Sequence, residues 1–359
     1  GGDHNVWYKH EGRPIFRSSR ALLYEESKKG NDAHTSKELI KKLKNEDALV
    51  VAHVGGRYAD IKSHDVKLER SVEIHSAWGT FEWLLQDALR LGYRVGIVSN
   101  SDGHKGRPGA SYPGASMFGS YGGLTCMLAQ KLTREMIWES LFHRHHYGTT
   151  GNRIFMDVNV LLKTPGKIFE EDPRLGGNDS KNSLVGIMGD IIQTNEKNAT
   201  LKIEIIASAP IEKIEIRNRL EVLETVRPYK KIDLGRRIRI IWGGAEYRGR
   251  GRETIWNGCA SIEGNEIESI QPINFYNLEK IIKQIDSKSL EWEAIPTGGF
   301  GGFDCMLKDP QEGSIKIDTP HANIDVSIAE IGFLDKRIEA GGLDRHLRLV
   351  RLPDINQHE

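Results

Sequence analysis

The feature that most constrains this chain is a change of hydrophobic period near Ile154. Beyond it, apolar residues recur at every second position. Leu201-Lys202-Ile203-Glu204-Ile205, Ile211-Glu212-Lys213-Ile214-Glu215-Ile216 and Arg237-Ile238-Arg239-Ile240-Ile241-Trp242 show the pattern, as do Ser314-Ile315-Lys316-Ile317 and Ile324-Asp325-Val326-Ser327-Ile328. A period of two marks strands with one buried face and one wet face, usually in antiparallel sheets. Residues 155–359 are therefore expected to form a mostly β, sandwich-like accessory domain. Leu278 to Ile285 is expected to be a helical insertion within it.

Before that change, strand and helix patterns alternate. Thr35-Ser36-Lys37-Glu38 is a capping box opening a helix through Leu39, Ile40 and Leu43. Ala48 to Ala52 is a short apolar run ending at His53, and Ser71 to His75 is the next strand. Phe81, Leu84, Leu85, Ala88 and Leu89 recur at helical spacing up to Gly92, a C-cap. Tyr93 to Val98 reads as a third strand, and a further helix starts near Thr133. Such βα units imply parallel pairing, with chemistry at the C-terminal strand ends. The expected fold class is α/β. Residues 1–154 would be the C-terminal part of a distorted (β/α) barrel.

Composition narrows the partners. Lys plus Arg balance Asp plus Glu at 50 each, which removes the electrostatic case for nucleic acid or an anionic membrane. No apolar run reaches the ~20 residues of a membrane span. The expected ligand is a small anionic molecule. Cys126, Cys259 and Cys305 lie far apart, which argues against a disulfide framework or a cysteine zinc site. The chain starts Gly1-Gly2-Asp3-His4, without Met, and reads as the later part of a longer polypeptide. Compartment and oligomeric state are open at this stage. No G-x-S-x-G, Walker loop or helix-opening G-x-G-x-x-G occurs, so serine-hydrolase and nucleotide-cofactor chemistry have no motif behind them.

Ligand-type residues gather at the strand ends. Asp102 and His104 are two apart in Ser101-Asp102-Gly103-His104. If strand geometry persists there, both leave one face and suit a divalent metal. His53 closes the preceding strand. Glu73 and His75 share the same i, i+2 relation, and Glu73 ranks above His75 as a bridging ligand or as the group that orients a ligand histidine. His4 adds a candidate near the start. Arg57, Lys105 and Arg107 sit in Gly-rich loops just past strand ends, placed to meet a phosphate or carboxylate. His143, His145 and His146 read as cations complementing the end of a helix.

The runs Ala52-His53-Val54-Gly55-Gly56, Val72-Glu73-Ile74-His75-Ser76 and Ser101-Asp102-Gly103-His104-Lys105-Gly106-Arg107-Pro108-Gly109 resemble the PHP (polymerase and histidinol phosphatase) superfamily. They are more closely similar to an uncharacterised branch that joins a PHP-like domain to a C-terminal β-domain. Thr149-Thr150-Gly151-Asn152-Arg153-Ile154 and Gly341-Gly342-Leu343-Asp344-Arg345 follow in the order of that branch. The resemblance implies two or three zinc, manganese or iron ions, with His4, His53, Asp102 and His104 at ligand positions and Glu73 as a strand-end acid. It implies phosphoester hydrolysis by a metal-bound hydroxide. The family's initial H-x-H pair is absent upstream of His4, as an absent N-terminal segment would explain. Two rivals remain: a non-catalytic binding or scaffold protein acting through the β-domain, and a metal-dependent amide or acyl hydrolase.

Overall fold

The computed structural model describes residues 3–18, 32–54, 59–103, 121–248, 254–296 and 298–354. Strands hold 45% of the residues and helices 12%. The α/β barrel expectation is overturned: the sheets are largely antiparallel and no barrel closes among the described residues. The chain divides into two compact units. The first comprises residues 1–74, 84–100 and 124–206; the second comprises 75–83, 101–123 and 207–359.

In the first unit, β1 (Asp3–Tyr8), β2 (Ala48–His53), β3 (Ser71–Ser76) and β5 (Gly96–Ser99) belong to one sheet. β4 (Gly79–Thr80) pairs with the last residues of β3, beyond the unit boundary at Ile74. β2 and β3 are parallel, as a βα unit requires, but β1 runs antiparallel to β2. That reversal removes β1 from the expected parallel series. The parallel pattern is thus too short to close a barrel.

The helices follow the sequence cues. α1 (Ser36–Leu43) begins where the Thr35 side chain accepts from the Glu38 amide at 3.2 Å. Glu38 returns the bond to the His34 amide, so the box is closed one residue early. The helix buries Leu39, Ile40 and Leu43 with Ala48, Val50 and Leu68. α2 (Glu82–Arg90) ends before Gly92, whose φ of 77° is the left-handed value that glycine adopts without strain. α3 (Arg134–Phe142) is capped by Thr133, and its Trp138 and Leu141 pack on Leu49.

The period-two region starts within this first unit. β6 (Leu124–Met127) pairs with β7 (His146–Thr149). β8 (Ile154–Phe169), β9 (Ser180–Ile187), β10 (Ile191–Gln193) and β11 (Thr200–Ala207) form a separate sheet. β9 and β10 both run antiparallel to β8.

The second unit contains the hairpin β12 (Ile214–Asn218) and β13 (Glu221–Val226), then ten further strands. These are β14 (Arg237–Ala245), β15 (Gly258–Glu263), β16 (Ile267–Ile273), β17 (Ile282–Gln284), β18 (Ser289–Trp292), β19 (Phe300–Leu307), β20 (Ser314–Asp318), β21 (Asn323–Ser327), β22 (Lys336–Glu339) and β23 (Leu343–Leu352). They make two five-stranded sheets, ordered β16-β19-β14-β23-β22 and β17-β18-β15-β20-β21. Ile238, Ile240 and Trp242 from one sheet share a core with Ile315, Ile317 and Trp292 from the other, as a sandwich requires. Trp242 and Trp292 stack with ring centroids 4.8 Å apart. On the opposite side of β14, Arg239 pairs with Asp304 at 2.7 Å and Glu212 at 3.0 Å. The expected helix at Leu278–Ile285 is instead a turn leading into β17. Leu278, Ile281 and Ile285 stay exposed, so no apolar helical face has anything to bury against.

Candidate functional site

β-sheet register decides which polar residues can meet. Paired residues in neighbouring strands project to the same side, and successive residues alternate. Asp3 pairs with His53, and His53 pairs with Glu73. Asp3, Asn5, His53 and Glu73 therefore share one face of the sheet. His4 pairs with Ala52 and lies on the other face.

On the first face, Glu73 is the centre. It is 1% exposed and His53 is 4% exposed. Glu73 Oε2 accepts from the side-chain amides of Asn100 at 2.8 Å and Asn5 at 3.2 Å. Glu73 Oε1 lies 3.3 Å from His53 Nδ1. Two amide donors at one oxygen and the His53 ring beside the other suit the ionised form of Glu73, which only accepts. A carboxylate beside Nδ1 favours the tautomer that carries its proton on that nitrogen. This is the arrangement that orients metal-binding and general-base histidines.

On the other face, Glu69 occupies a second buried polar cluster. Glu69 Oε2 lies 3.1 Å from His64 Nδ1 and accepts from the Asp65 amide at 3.0 Å. His4 Nε2 is 3.8 Å from Glu69 Oε1. His64 stacks on Tyr93 with centroids 3.9 Å apart. Burial, then the negative charge of Glu69, raises the Tyr93 hydroxyl pKa. The structure thus brings His53 and Glu73 together and places His4 with a different carboxylate.

His75 is committed elsewhere. Its Nε2 donates to the Tyr121 carbonyl at 2.8 Å, and its Nδ1 lies 2.8 Å from the Thr80 hydroxyl. Burial lowers its pKa and keeps it neutral. Asp102 lies three residues past the end of β5 with a φ of 48°. That left-handed residue breaks strand alternation, so the same-face argument for Asp102 and His104 does not hold. The Asp102 carbonyl accepts from the Trp78 indole at 3.3 Å. His104, Arg57, Lys105 and Arg107 lie outside the described residues.

Of the three histidines after α3, His143 stands at the helix end as expected and His146 departs from expectation. His143 caps the helix, and His145 Nε2 lies 2.9 Å from Asp190. His146 lies in β7, with its ring between the Ser71 hydroxyl at 2.9 Å and the Ile97 carbonyl at 3.0 Å. Burial pushes its pKa down to about 4, so it is a neutral interior group and not a cation at a helix end.

His and carboxylate donors fit zinc, manganese or iron in kind. In number they fall short: among the described residues, no group of three or more His, Cys, Asp or Glu side chains could hold a metal ion. Sequence reasoning missed Asn5, Asn100, His64 and Glu69. Asn5 directly follows the flagged His4, whereas Asn100 stands two residues before Asp102.

No family model matches the chain, and no solved structure does. An uncharacterised protein of Chlamydia pneumoniae is similar at 24% identity. The match covers 44% of this chain and 30% of that protein, so the chain spans well under half of its relative's length. No helix among the described residues is long and apolar enough to cross a membrane.

Proposed function

We propose that this chain is part of a metal-dependent hydrolase of the PHP type, acting on phosphoesters of small anionic molecules. The observation that carries the reading is the Glu73–His53 pair, buried on neighbouring parallel strands and held by two asparagine amides. Burying an ionised carboxylate beside a histidine gains little stability for its desolvation cost, so such pairs are enriched where chemistry needs them. In this reading His53 Nε2 takes a ligand or a proton, and Glu73 is a positioning residue that fixes the ring's tautomer. Asp102 and His104 come to the site only through the family resemblance. A bound divalent cation would supply an activated water and neutralise charge on the phosphoryl oxygens.

A second reading, a binding protein acting through the β-rich unit, is favoured by the lack of a three-donor group among the described residues. One experiment separates them. Purified protein is assayed for metal content and for hydrolysis of bis(p-nitrophenyl) phosphate with added zinc or manganese, beside His53→Ala and Asp102→Ala. Bound metal and activity lost in His53→Ala support the hydrolase. No bound metal and no turnover overturn it and leave the binding protein.

A further inference from the structure

Arg70 and Arg144 form a second buried polar feature of the first unit, one that the Glu73–His53 pair does not use. Arg70 immediately precedes β3 and is 2% exposed; Arg144 follows α3 and is 6% exposed. The Arg70 guanidinium lies 4.0 Å from the Phe142 ring, and its Nε donates to the Lys67 carbonyl at 3.0 Å. Both terminal nitrogens, Nη1 and Nη2, are buried with no hydrogen-bond partner among the described residues. Arg144 adopts a φ of 62° and donates from Nε to the Gly189 carbonyl at 3.2 Å.

Carboxylates lie near the pair, Glu171, Asp172 and Asp65 about Arg70 and Asp172 and Asp190 about Arg144, but none of them hydrogen-bonds the Arg70 Nη atoms. Asp172 is taken by Arg94 at 2.9 Å and Arg174 at 2.6 Å. Asp190 is taken by His145 and by the Ile187 amide, both at 2.9 Å. Burial first, then repulsion from Arg70, pushes Arg144 down to about 10. Leaving the Arg70 donors buried and unbonded costs more than a normal hydrogen bond gains, and the Arg70 and Arg144 cations repel. An oxyanion answers both problems, since its oxygens accept forked guanidinium donors and its charge offsets the repulsion.

We propose that Arg70 and Arg144 bind a small oxyanion of the phosphate class inside the first unit. The anion accepts the unbonded Arg70 donors and stabilises the fold around Arg70, Phe142 and Arg144. It is either free inorganic phosphate or the phosphate group of a small ester, and the test distinguishes these.

Thermal unfolding of the full chain is followed while inorganic phosphate, methyl phosphate or sulfate is titrated, with chloride at matched ionic strength. The expected result is a saturable rise in Tm with phosphate, absent with chloride, and weakened at least about tenfold in apparent affinity by Arg70→Gln. Arg70→Lys keeps the charge without the fork, and is read the same way if Arg70→Gln does not fold. A response to inorganic phosphate but not to methyl phosphate identifies the free ion. No saturable effect in the unmodified chain overturns the proposal, as does an effect that both variants retain. The titration also separates this site from the proposed hydrolase: phosphate stabilisation persists in His53→Ala if the two are distinct.

Discussion

The two units hold their buried charges in different ways. The sandwich of the second unit fills its centre with Trp242, Trp292, Phe303 and aliphatic residues, and sends Arg239, Asp304 and Glu212 to the other side of the sheet. The first unit buries Glu73, His53, Glu69, Arg70, Arg144 and His146 among its strands. The sandwich buries charged groups too, but pairs them: Asp304 with Arg239, Arg348 with Glu212, and Arg351 with the Ile331 and Ile328 carbonyls. The first unit carries desolvation costs that folding alone does not reward. The difference is what directs the proposed hydrolase reading to the first unit.

Truncation in the sandwich gives the largest expected effect. Trp242→Ala removes a fully buried ring stacked on Trp292 and should cost about 3–5 kcal/mol in chemical denaturation. If the loss is below about 1 kcal/mol, the sandwich core is not as tightly packed as described.

Acid separates the charged groups of the two units. Although burial opposes it, hydrogen bonds and charge from Arg348 and Arg239 hold the Glu212 carboxyl at about 2, well below the usual 4.5. Its contribution is complete above the unfolded value and is lost as pH falls from about 4.5 through 2. The amount is on the order of 3 kcal/mol, reduced by its partial exposure. Glu212→Gln should remove that window from the stability profile. His146 works in another window. Its folded pKa of about 4 lies below the unfolded value of 6.5, so the unfolded chain binds the proton first. Stability falls from about pH 6.5 toward 4, again by on the order of 3 kcal/mol at most. His146→Gln should flatten the profile there. An unchanged slope between pH 6.5 and 4 would show that His146 is not buried neutral.

A smaller effect tests the helix in the first unit. Thr35→Ala removes the side-chain acceptor for the Glu38 amide and should cost about 1 kcal/mol. A neutral result would mean that α1 is held by Leu39, Ile40 and Leu43 alone.

Local signals in the sequence carried the elements further than the topology. Thr35 and Thr133 each cap the helix they announce, Gly92 ends α2, and β14, β20 and β21 follow their period-two runs. The direction of β1 was not legible, because alternation in Asp3–Tyr8 is compatible with either pairing. The register that pairs Asp3 with His53 puts His4 on the other face, and the antiparallel run of β1 takes it out of the parallel series. The α/β expectation extrapolated from the alternation of strand and helix patterns before Ile154, which yields the parallel pair β2–β3, while an antiparallel pattern already begins in the first unit with β8. At the site, His53 and Glu73, singled out for their strand-end positions, lie beside each other. The asparagines that hold Glu73 were missed because an amide carries no pattern beyond its neighbours. Asp102 was misread geometrically, since no residue type announces a positive φ at an aspartate.

The central claim is that Glu73 positions His53 for catalysis and does not merely support the fold. Glu73→Gln tests it most directly. The amide oxygen can still accept from Asn5 and Asn100, while its NH2 faces His53 Nδ1 and favours the opposite tautomer. Hydrolysis of bis(p-nitrophenyl) phosphate is measured beside Tm for both proteins. The expected result is kcat/KM lowered by about 100-fold with Tm within a few degrees of the unmodified chain. Activity within about twofold, or a collapse in Tm matched by an equal loss in folded protein, would contradict a positioning role for Glu73.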